Sequence, residues 1–359
     1  MTVPITGRSY DVVVGSGVLA RAAEHLPELG SATRAFVVAD RPVADAWLHP
    51  LSEALAARRI HAVLLVVPSG EEAKTLDVYA TVLRQLASQE AHRDDLVVAL
   101  GGGTTGDLAG FVASTYMRGV RLIQVPTTLT GQVDAAIGGK TAVNLPEGKN
   151  LAGTFHQPVA VLCDVDTLAT LADRDLRSGL AEVAKYALTL DLELLGMLER
   201  DPAPLLQRDP APLEVVVARC VRAKAATVAA DELDLDRRMI LNYGHTVGHA
   251  LERSEGYAGR THGEAIAVGM VFAARLAEAR GLASTGVTAR TTRLLKALGL
   301  ETEGALPPVV DVLAALKMDK KFRDRNRFVL LQAVGRPLVV DDVTDEEVAA
   351  VLREMGAEA

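Results

Sequence analysis

Six short apolar runs limit what the first half of this chain can fold into. YDVVVG, RAFVVAD, HAVLLVVP, DLVVALGGG, VRLIQVPTT and AVLCDV are rich in valine, leucine or isoleucine and bounded by turn residues. Continuous apolarity over such lengths marks strands buried on both faces. Between them lie segments with helical spacing, such as VLARAAEHL, LSEALAARR and LDVYATVLRQLASQ. Alternation of this kind predicts an α/β domain with a mostly parallel sheet covered on both sides.

After about Leu171 the pattern changes. DLRSGLAEVAKYALTLDLELLGMLE, PLEVVVARCVRAKAATVAADE and GEAIAVGMVFAARLAEAR carry helical spacing, and only RFVLLQAVG and PLVVDD read as extended. The expected domains are 1–171, α/β, and 172–359, mainly α-helical. A length of 359 residues also exceeds one ordinary core. No low-complexity linker separates the halves, so a cleft between them is the expected small-molecule site.

Composition excludes several classes of function. The chain is 49% apolar and 23% charged, with a formal charge of −8 and no block of like charge, which argues against a nucleic-acid partner. Cys163 and Cys220 show no metal-type spacing and suit a reducing compartment. The opening MTVPITGRSYDV lacks the regions of a signal peptide, and no apolar run reaches the roughly 18 residues of a membrane span. A cytoplasmic protein with no membrane partner is expected.

LVVALGGGTTGDLAGFVAS is a strand, a glycine loop and a helix in order. Gly101, Gly103 and Gly106 match GxGxxG in the context that gives the pattern meaning, because the helix N-terminus offers N–H groups to a pyrophosphate. The alternative is a tight strand-to-helix turn. The acid expected about 20 residues later is missing; Gln124 and Pro126 occupy that region, whereas Asp40 ends an earlier strand. A nucleotide in a variant Rossmann-like topology is the expectation.

PTTLTGQVDAAIGGKTAVNLPEGKNLAGTFHQP follows, with Asp134, Lys140, Asn144, Lys149 and Asn150 interrupted by Gly138, Gly139 and Gly148. Glycines let N–H groups converge on an anion and lysines supply point charges. It reads as a long loop for a phosphorylated substrate or the nucleotide, against the alternative of a solvated surface loop.

In the second half, SGLAEVAKYAL sets Glu182 and Lys185 on an otherwise apolar helix, where a charged pair is costly unless partnered or bound to metal. LNYGHTVGHALE puts His245 and His249 at i and i+4, and GRTHGEAIAVG adds His262. No glutamate directly follows His245, so the hydrolytic two-histidine motif of metalloproteases is absent. One carboxylate with two imidazoles leaves coordination positions open, as in a catalytic zinc site. Spacing leaves open which two histidines serve, or whether all are ordinary core and surface residues.

SGEEAK, GGGTTGDLAGF, YMRG, VPTTL, VDAAIGGKTAVN, GKNLAGTFHQP, SGLAEVAKY, RAKAATVAADE, LNYGHTVGHA, HGEA and DKK, running in this order over most of the chain, resemble the 3-dehydroquinate synthase family of sugar-phosphate cyclases. The resemblance implies a nucleotide-binding α/β domain followed by a helical, metal-binding one. It implies zinc or cobalt on Glu182, His245 and His262, with His249 facing the substrate. It implies NAD contacts at Ser69, Gly70, Glu71, Glu72, Lys74, Gly103, Thr104, Thr105, Gly106, Asp107, Thr127, Thr128, Lys140, Lys149, Thr167 and Thr170, beside Asp40. Substrate positions would be Asp134, Lys140, Asn150, Lys185, Lys224, Arg238, Asn242, His249 and Lys320. Arg118 would reach across a homodimer into the neighbouring site. Ala135 and Ala136 stand where many relatives have serine, and Pro42 where asparagine often helps hold the adenosine ribose.

The implied reaction cyclises 3-deoxy-D-arabino-heptulosonate 7-phosphate to 3-dehydroquinate. It proceeds by transient oxidation by NAD⁺, loss of phosphate, return of the hydride, ring opening and aldol closure. On this reading Arg238 and Lys224 take the substrate carboxylate, while Lys140, Asn150, Asn242, His249, Lys320 and Arg118 surround the phosphate. Rival expectations are a family cyclase of sedoheptulose 7-phosphate or glucose 6-phosphate, an aminated version of the same substrate, a metal-dependent polyol dehydrogenase, and a catalytically silent NAD- or metal-binding scaffold. The first is disfavoured because Lys224, Arg238, Asn242 and His249 all survive.

Overall fold

The structure is a computed structural model that describes residues 1–257, 259–318 and 327–358. A two-residue strand, Thr2–Val3 (β1), precedes Tyr10–Gly15 (β2), Arg34–Ala39 (β3), His61–Val66 (β4), Leu96–Gly101 (β5) and Arg121–Pro126 (β6). Lys140–Leu145 (β7), Gly148–Phe155 (β8) and Ala160–Asp164 (β9) follow. All six apolar runs are therefore strands. The sheet order is β1-β2-β9-β6-β5-β3-β4, and only β1 with β2 is antiparallel.

Burial on both faces explains the continuous apolar runs. Ala35, Val37, Leu96, Val98 and Leu100 pack on one face with Leu51, Ala54 and Leu55 of the Arg41–Ala57 helix. Phe36, Val38, Val97 and Ala99 pack on the other with Val82 and Leu86 of Leu76–Ser88 and Leu108, Ala109 and Val112 of Gly103–Thr115. The chain passes from β3 out to β4 and returns to β5 on the other side of β3. Such a reversal opens a crevice at the carboxyl ends of β3 and β5, where doubly wound sheets bind ligands.

Two sequence expectations are corrected. The lysine-bearing stretch is largely an antiparallel hairpin, β7 with β8, preceded by a π-helical turn at Gly131–Ala135. Strand β8 is exposed or half-buried along its whole length, so it carries no apolar alternation to read. Gly153 instead marks a close approach, because a Cβ there would lie 2.0 Å from the Thr141 carbonyl oxygen.

The second correction concerns the domains. One unit comprises Met1–Leu171 and Arg208–Leu233; the other comprises Ala172–Gln207 and Asp234–Ala359. The Pro210–Ala230 helix packs on β1, β2 and the π-helical turn, burying Leu213, Val216, Val217, Cys220 and Val221. Its apolar stripe announces burial but not the layer it covers.

The second unit is mainly helical, with one hairpin, Phe328–Ala333 (β10) and Arg336–Val340 (β11). Its central helix, His262–Ala279, is buried along most of its length and packs against His245–Ser254. Glycines permit that contact. A Cβ at Gly269 would lie 1.9 Å from the Gly244 carbonyl oxygen, and one at Gly248 would lie 3.1 Å from Ile266. Among the described residues no helix is long and apolar enough to cross a membrane.

Gly269→Ala should lower stability by about 1–3 kcal/mol through overpacking, whereas Gly196→Ala, with nothing within 4 Å of its Cβ, should be neutral or stabilising. Denaturant midpoints measure both, and equal midpoints would show that the helix contact is not tight.

Candidate functional site

Glu182, His245 and His262 each offer a ligand atom, and these atoms lie within 4.8 Å of one another. Each residue sits on its own helix. Glu182, only 1% exposed, lies within Asp173–Thr189. His245 begins its helix directly after Gly244, whose φ of +79° favours glycine. His262 begins the central helix, whose start is a capping box between Thr261 and Glu264. Arg174 grips Glu264 with two hydrogen bonds of 2.8 and 2.7 Å. The Gly263 N–H donates to Ser178 Oγ at 2.9 Å. Ser178 is one helical turn before Glu182, so this seam sets His262 against the carboxylate.

Both imidazoles are held at Nδ1. That of His245 lies 3.1 Å from the Tyr243 carbonyl oxygen, and that of His262 lies 3.1 Å from Glu252 Oε2. With Nδ1 engaged by those acceptors, Nε2 is the ring atom left to meet Glu182 or, once deprotonated, a metal ion. The two Nε2 atoms face Glu182 Oε1 at 3.4 and 3.1 Å. Metal-binding histidines are characteristically oriented this way, and the donor set fits a divalent ion with open positions. A second triad, His249, Glu252 and His262, also falls within 4.8 Å. In it Glu252 is engaged with His262 Nδ1, and His249 is exposed. Neither triad contains both His245 and His249, whose rings meet edge to face at 5.3 Å. The i, i+4 pair shares a helix face without sharing a ligand set.

The local charges favour a cation. Burial pushes the Glu182 carboxyl up, but the Lys185 ammonium, 2.5 Å from Oε2, and His245 together hold it well below the usual range. Burial depresses His245. Burial would also depress His262, yet its hydrogen bonds to Glu182 and Glu252 prevail and raise it to about 10. The two carboxylates thus stabilise positive charge on or beside this ring.

In the first unit, the positions expected to meet a nucleotide gather at one edge of the sheet. Asp40 follows β3; Ser69, Gly70, Glu71, Glu72 and Lys74 follow β4; Gly103, Thr104, Thr105, Gly106 and Asp107 follow β5. Thr127 and Thr128 follow β6, and Thr167 and Thr170 follow β9. The Gly103–Thr115 helix starts at this edge with Gly102 as N-cap and no side-chain cap. A pyrophosphate suits such a helix start at the sheet's switch point.

Some of these side chains already have structural roles. Asp40 Oδ1 accepts the Val43 N–H at 2.9 Å, capping the Arg41–Ala57 helix. A proline in the first turn, here Pro42, suits that start. The Thr167 hydroxyl donates to the Asp164 carbonyl at 2.7 Å and accepts from Gln132 at 3.2 Å. Thr170 accepts from the Trp47 indole at 3.1 Å. Gln124 occupies the space beside Gly106, where a Cβ would lie 2.8 Å from its Oε1. Burial pushes the Asp107 carboxyl up against the pull of Lys74, its ion-pair partner at 2.5 Å.

The expected substrate positions divide between the units. In the first, Lys224 Nζ pairs with Asp134 Oδ1 at 2.7 Å. Lys140 begins β7, Lys149 and Asn150 lie on β8, and Asn150 has a φ of +57°. Arg118 is exposed and, like Met117, left-handed, with a φ of +65°. In the second, Lys185 and Arg238 are buried, Asn242 closes the Arg237–Asn242 turn of 3₁₀-helix, and His249 is exposed. Lys320 lies outside the described residues. Sequence motifs alone do not single out Glu252, Ser178 or Arg174. Glu252 had a signal, a carboxylate three residues after His249 on a buried helix face.

A family model described as 3-dehydroquinate synthase N-terminal matches residues 64–178, and one described as 3-dehydroquinate synthase C-terminal matches 179–322. The chain belongs to the 3-dehydroquinate synthase family. It is 42% identical over 345 residues to the 3-dehydroquinate synthase of Pelobacter propionicus, covering 95% of each chain. A crystal structure of 2-deoxy-scyllo-inosose synthase with carbaglucose-6-phosphate, NAD⁺ and Co²⁺ superposes with a TM-score of 0.91 at 30% identity, covering 99% of each chain. The 2-epi-5-epi-valiolone synthase of Streptomyces hygroscopicus subsp. jinggangensis, with NAD⁺ and Zn²⁺ bound, gives 0.87 at 32% identity over 96% of each chain. The family match accounts for the order of motifs along both units.

Glu252→Ala should weaken zinc binding roughly 10- to 100-fold, measured by competition with a chromophoric chelator; unchanged affinity would remove Glu252 from the orienting role. Below the His262 value of about 10, metal must displace a proton. Zinc affinity should therefore rise with pH, by about tenfold per unit near neutrality, and a flat profile would contradict the assignment of His262 as ligand.

Proposed function

We propose that the protein is a 3-dehydroquinate synthase acting in the shikimate pathway. It converts 3-deoxy-D-arabino-heptulosonate 7-phosphate to 3-dehydroquinate and inorganic phosphate, with NAD and a divalent zinc or cobalt ion as cofactors. The observation that carries this reading is the triad of Glu182, His245 and His262, with both imidazoles tethered at Nδ1 and Nε2 turned to the carboxylate. NAD would supply reversible hydride acceptance, and the ion Lewis acidity at substrate oxygens.

The chain's own residues bind and orient. Arg238 presents a planar guanidinium suited to a carboxylate, with Lys224 beside it in role. Lys140, Asn150, Asn242, His249, Lys320 and Arg118 take the phosphate, whose dianion offsets their mutual repulsion. Asp134 places Lys224 through their 2.7 Å ion pair. Lys185 holds Glu182 ionised, so that the carboxylate is ready as a ligand. The relatives' binding of carbaglucose-6-phosphate, NAD⁺, Co²⁺ and Zn²⁺ supports a phosphorylated substrate and both cofactors here.

The working form is a homodimer in the cytoplasm. Exposed Met117, Leu151 and Phe155 in the first unit, near Arg118 in sequence or on β8, support a second copy as the covering surface. Cys163 and Cys220, both buried thiols, suit a reducing compartment.

Purified protein given the seven-carbon substrate, NAD⁺ and zinc should release phosphate in step with a carbocyclic product, without accumulating NADH. Net NADH from a simple polyol would point to a dehydrogenase, and preference for the aminated substrate to the antibiotic branch. Arg238→Ala should lower kcat/KM on the order of 10- to 100-fold, as expected for losing hydrogen bonds to a charged group. An unchanged value would refute the carboxylate assignment.

A further inference from the structure

Lys74 is 4% exposed, yet its ammonium is shared between two parts of the first unit. Nζ lies 2.5 Å from Asp107 Oδ2, on the Gly103–Thr115 helix, and 2.5 Å from Asn150 Oδ1, on β8. An ammonium can only donate. The Asn150 amide oxygen is therefore turned to Lys74, and its NH₂ group is left to donate elsewhere.

The backbone repeats the link. The Asn150 N–H, at a left-handed φ of +57°, donates to Asn144 Oδ1 at 3.0 Å. The Asn144 amide donates to Glu71 Oε2 at 2.7 Å, and its main-chain N–H donates to the Lys74 carbonyl at 2.8 Å. Asn150 is thus tied by side chain and main chain to the segment that follows β4.

We infer that Lys74, with Asn144 as its brace, is a positioning residue that couples nucleotide binding at Asp107 to phosphate binding at Asn150. This rests on the proposed roles of those two residues. A hydrogen-bond donor on the nucleotide that engages Asp107 draws carboxylate charge away from Lys74. The ammonium is then less neutralised, polarises the Asn150 amide more strongly, and raises the local attraction for an anion. Coupling between two binding equilibria is reciprocal, so phosphate must tighten the nucleotide by the same factor. The nucleotide is accordingly held most tightly while a phosphoryl group is in place.

The test is the NAD⁺ dissociation constant of the intact protein by calorimetry, without and with saturating inorganic phosphate. Wild type should bind NAD⁺ about fivefold or more tightly with phosphate present, the lower end of ordinary allosteric coupling. In Lys74→Met the ratio should fall to about one while each ligand still binds. Should that variant fail to fold by circular dichroism, Asn144→Ala decides by the same ratio, which should drop toward one. A wild-type ratio of one with both ligands bound overturns the coupling and leaves the proposed function standing. Absence of NAD⁺ binding by wild type overturns both. A folded Lys74→Met, or in its place Asn144→Ala, that keeps the wild-type ratio removes the residue from the role assigned to it.

Discussion

An ionised carboxylate buried among apolar helices is the constraint on which the second unit depends. Glu182 is 1% exposed, and an isolated charge at such depth costs several kcal/mol. Its environment supplies cationic or donating groups on every side described: Lys185 from the same helix, His245 and His262 from two others. The glycine contacts of Gly244, Gly248, Gly263 and Gly269 let those helices approach closely enough for the imidazoles to reach it. Packing and chemistry are therefore one problem here, because the geometry that neutralises the carboxylate is the geometry that offers three ligands to one ion.

The first unit solves a different problem. The central strands of its seven-stranded sheet are apolar on both faces, so the positions expected to meet a nucleotide lie mostly where the parallel strands end. Loops after β3, β4, β5, β6 and β9 converge there because parallel strands all finish on the same side. The N-terminus of the Gly103–Thr115 helix contributes its dipole at that edge. The pair of buried Lys74 and half-buried Asp107 then links the β4 and β5 loops to the hairpin.

Much of this was legible in the residues. Valine and isoleucine runs mark two-sided strands, and each became one. The histidine cluster pointed to a metal, although spacing alone left open which two of His245, His249 and His262 would serve. The i, i+4 rule concerns side chains on one helix face, whereas the triad draws its ligands from three helices. Strand β8 left no apolar alternation to recognise. The second role of Asp40, as a helix cap, follows from the backbone turning into a helix directly after β3. Glu252 was visible as a letter, but its bond to His262 exists only once two helices pack.

By itself the sequence determined the parallel sheet, the helical character of the second half, the glycine-rich start of the Gly103–Thr115 helix and the residue types able to bind metal and anions. These depend on local periodicity and on side-chain chemistry, both of which are written residue by residue. Only the tertiary structure decided that the Pro210–Ala230 helix belongs with the first unit, which imidazoles share Glu182 as their partner, and that Lys74 stands between Asp107 and Asn150. Those outcomes depend on distances between segments far apart in the chain, and such distances are set by close packing around glycines and by the pairing of buried charges.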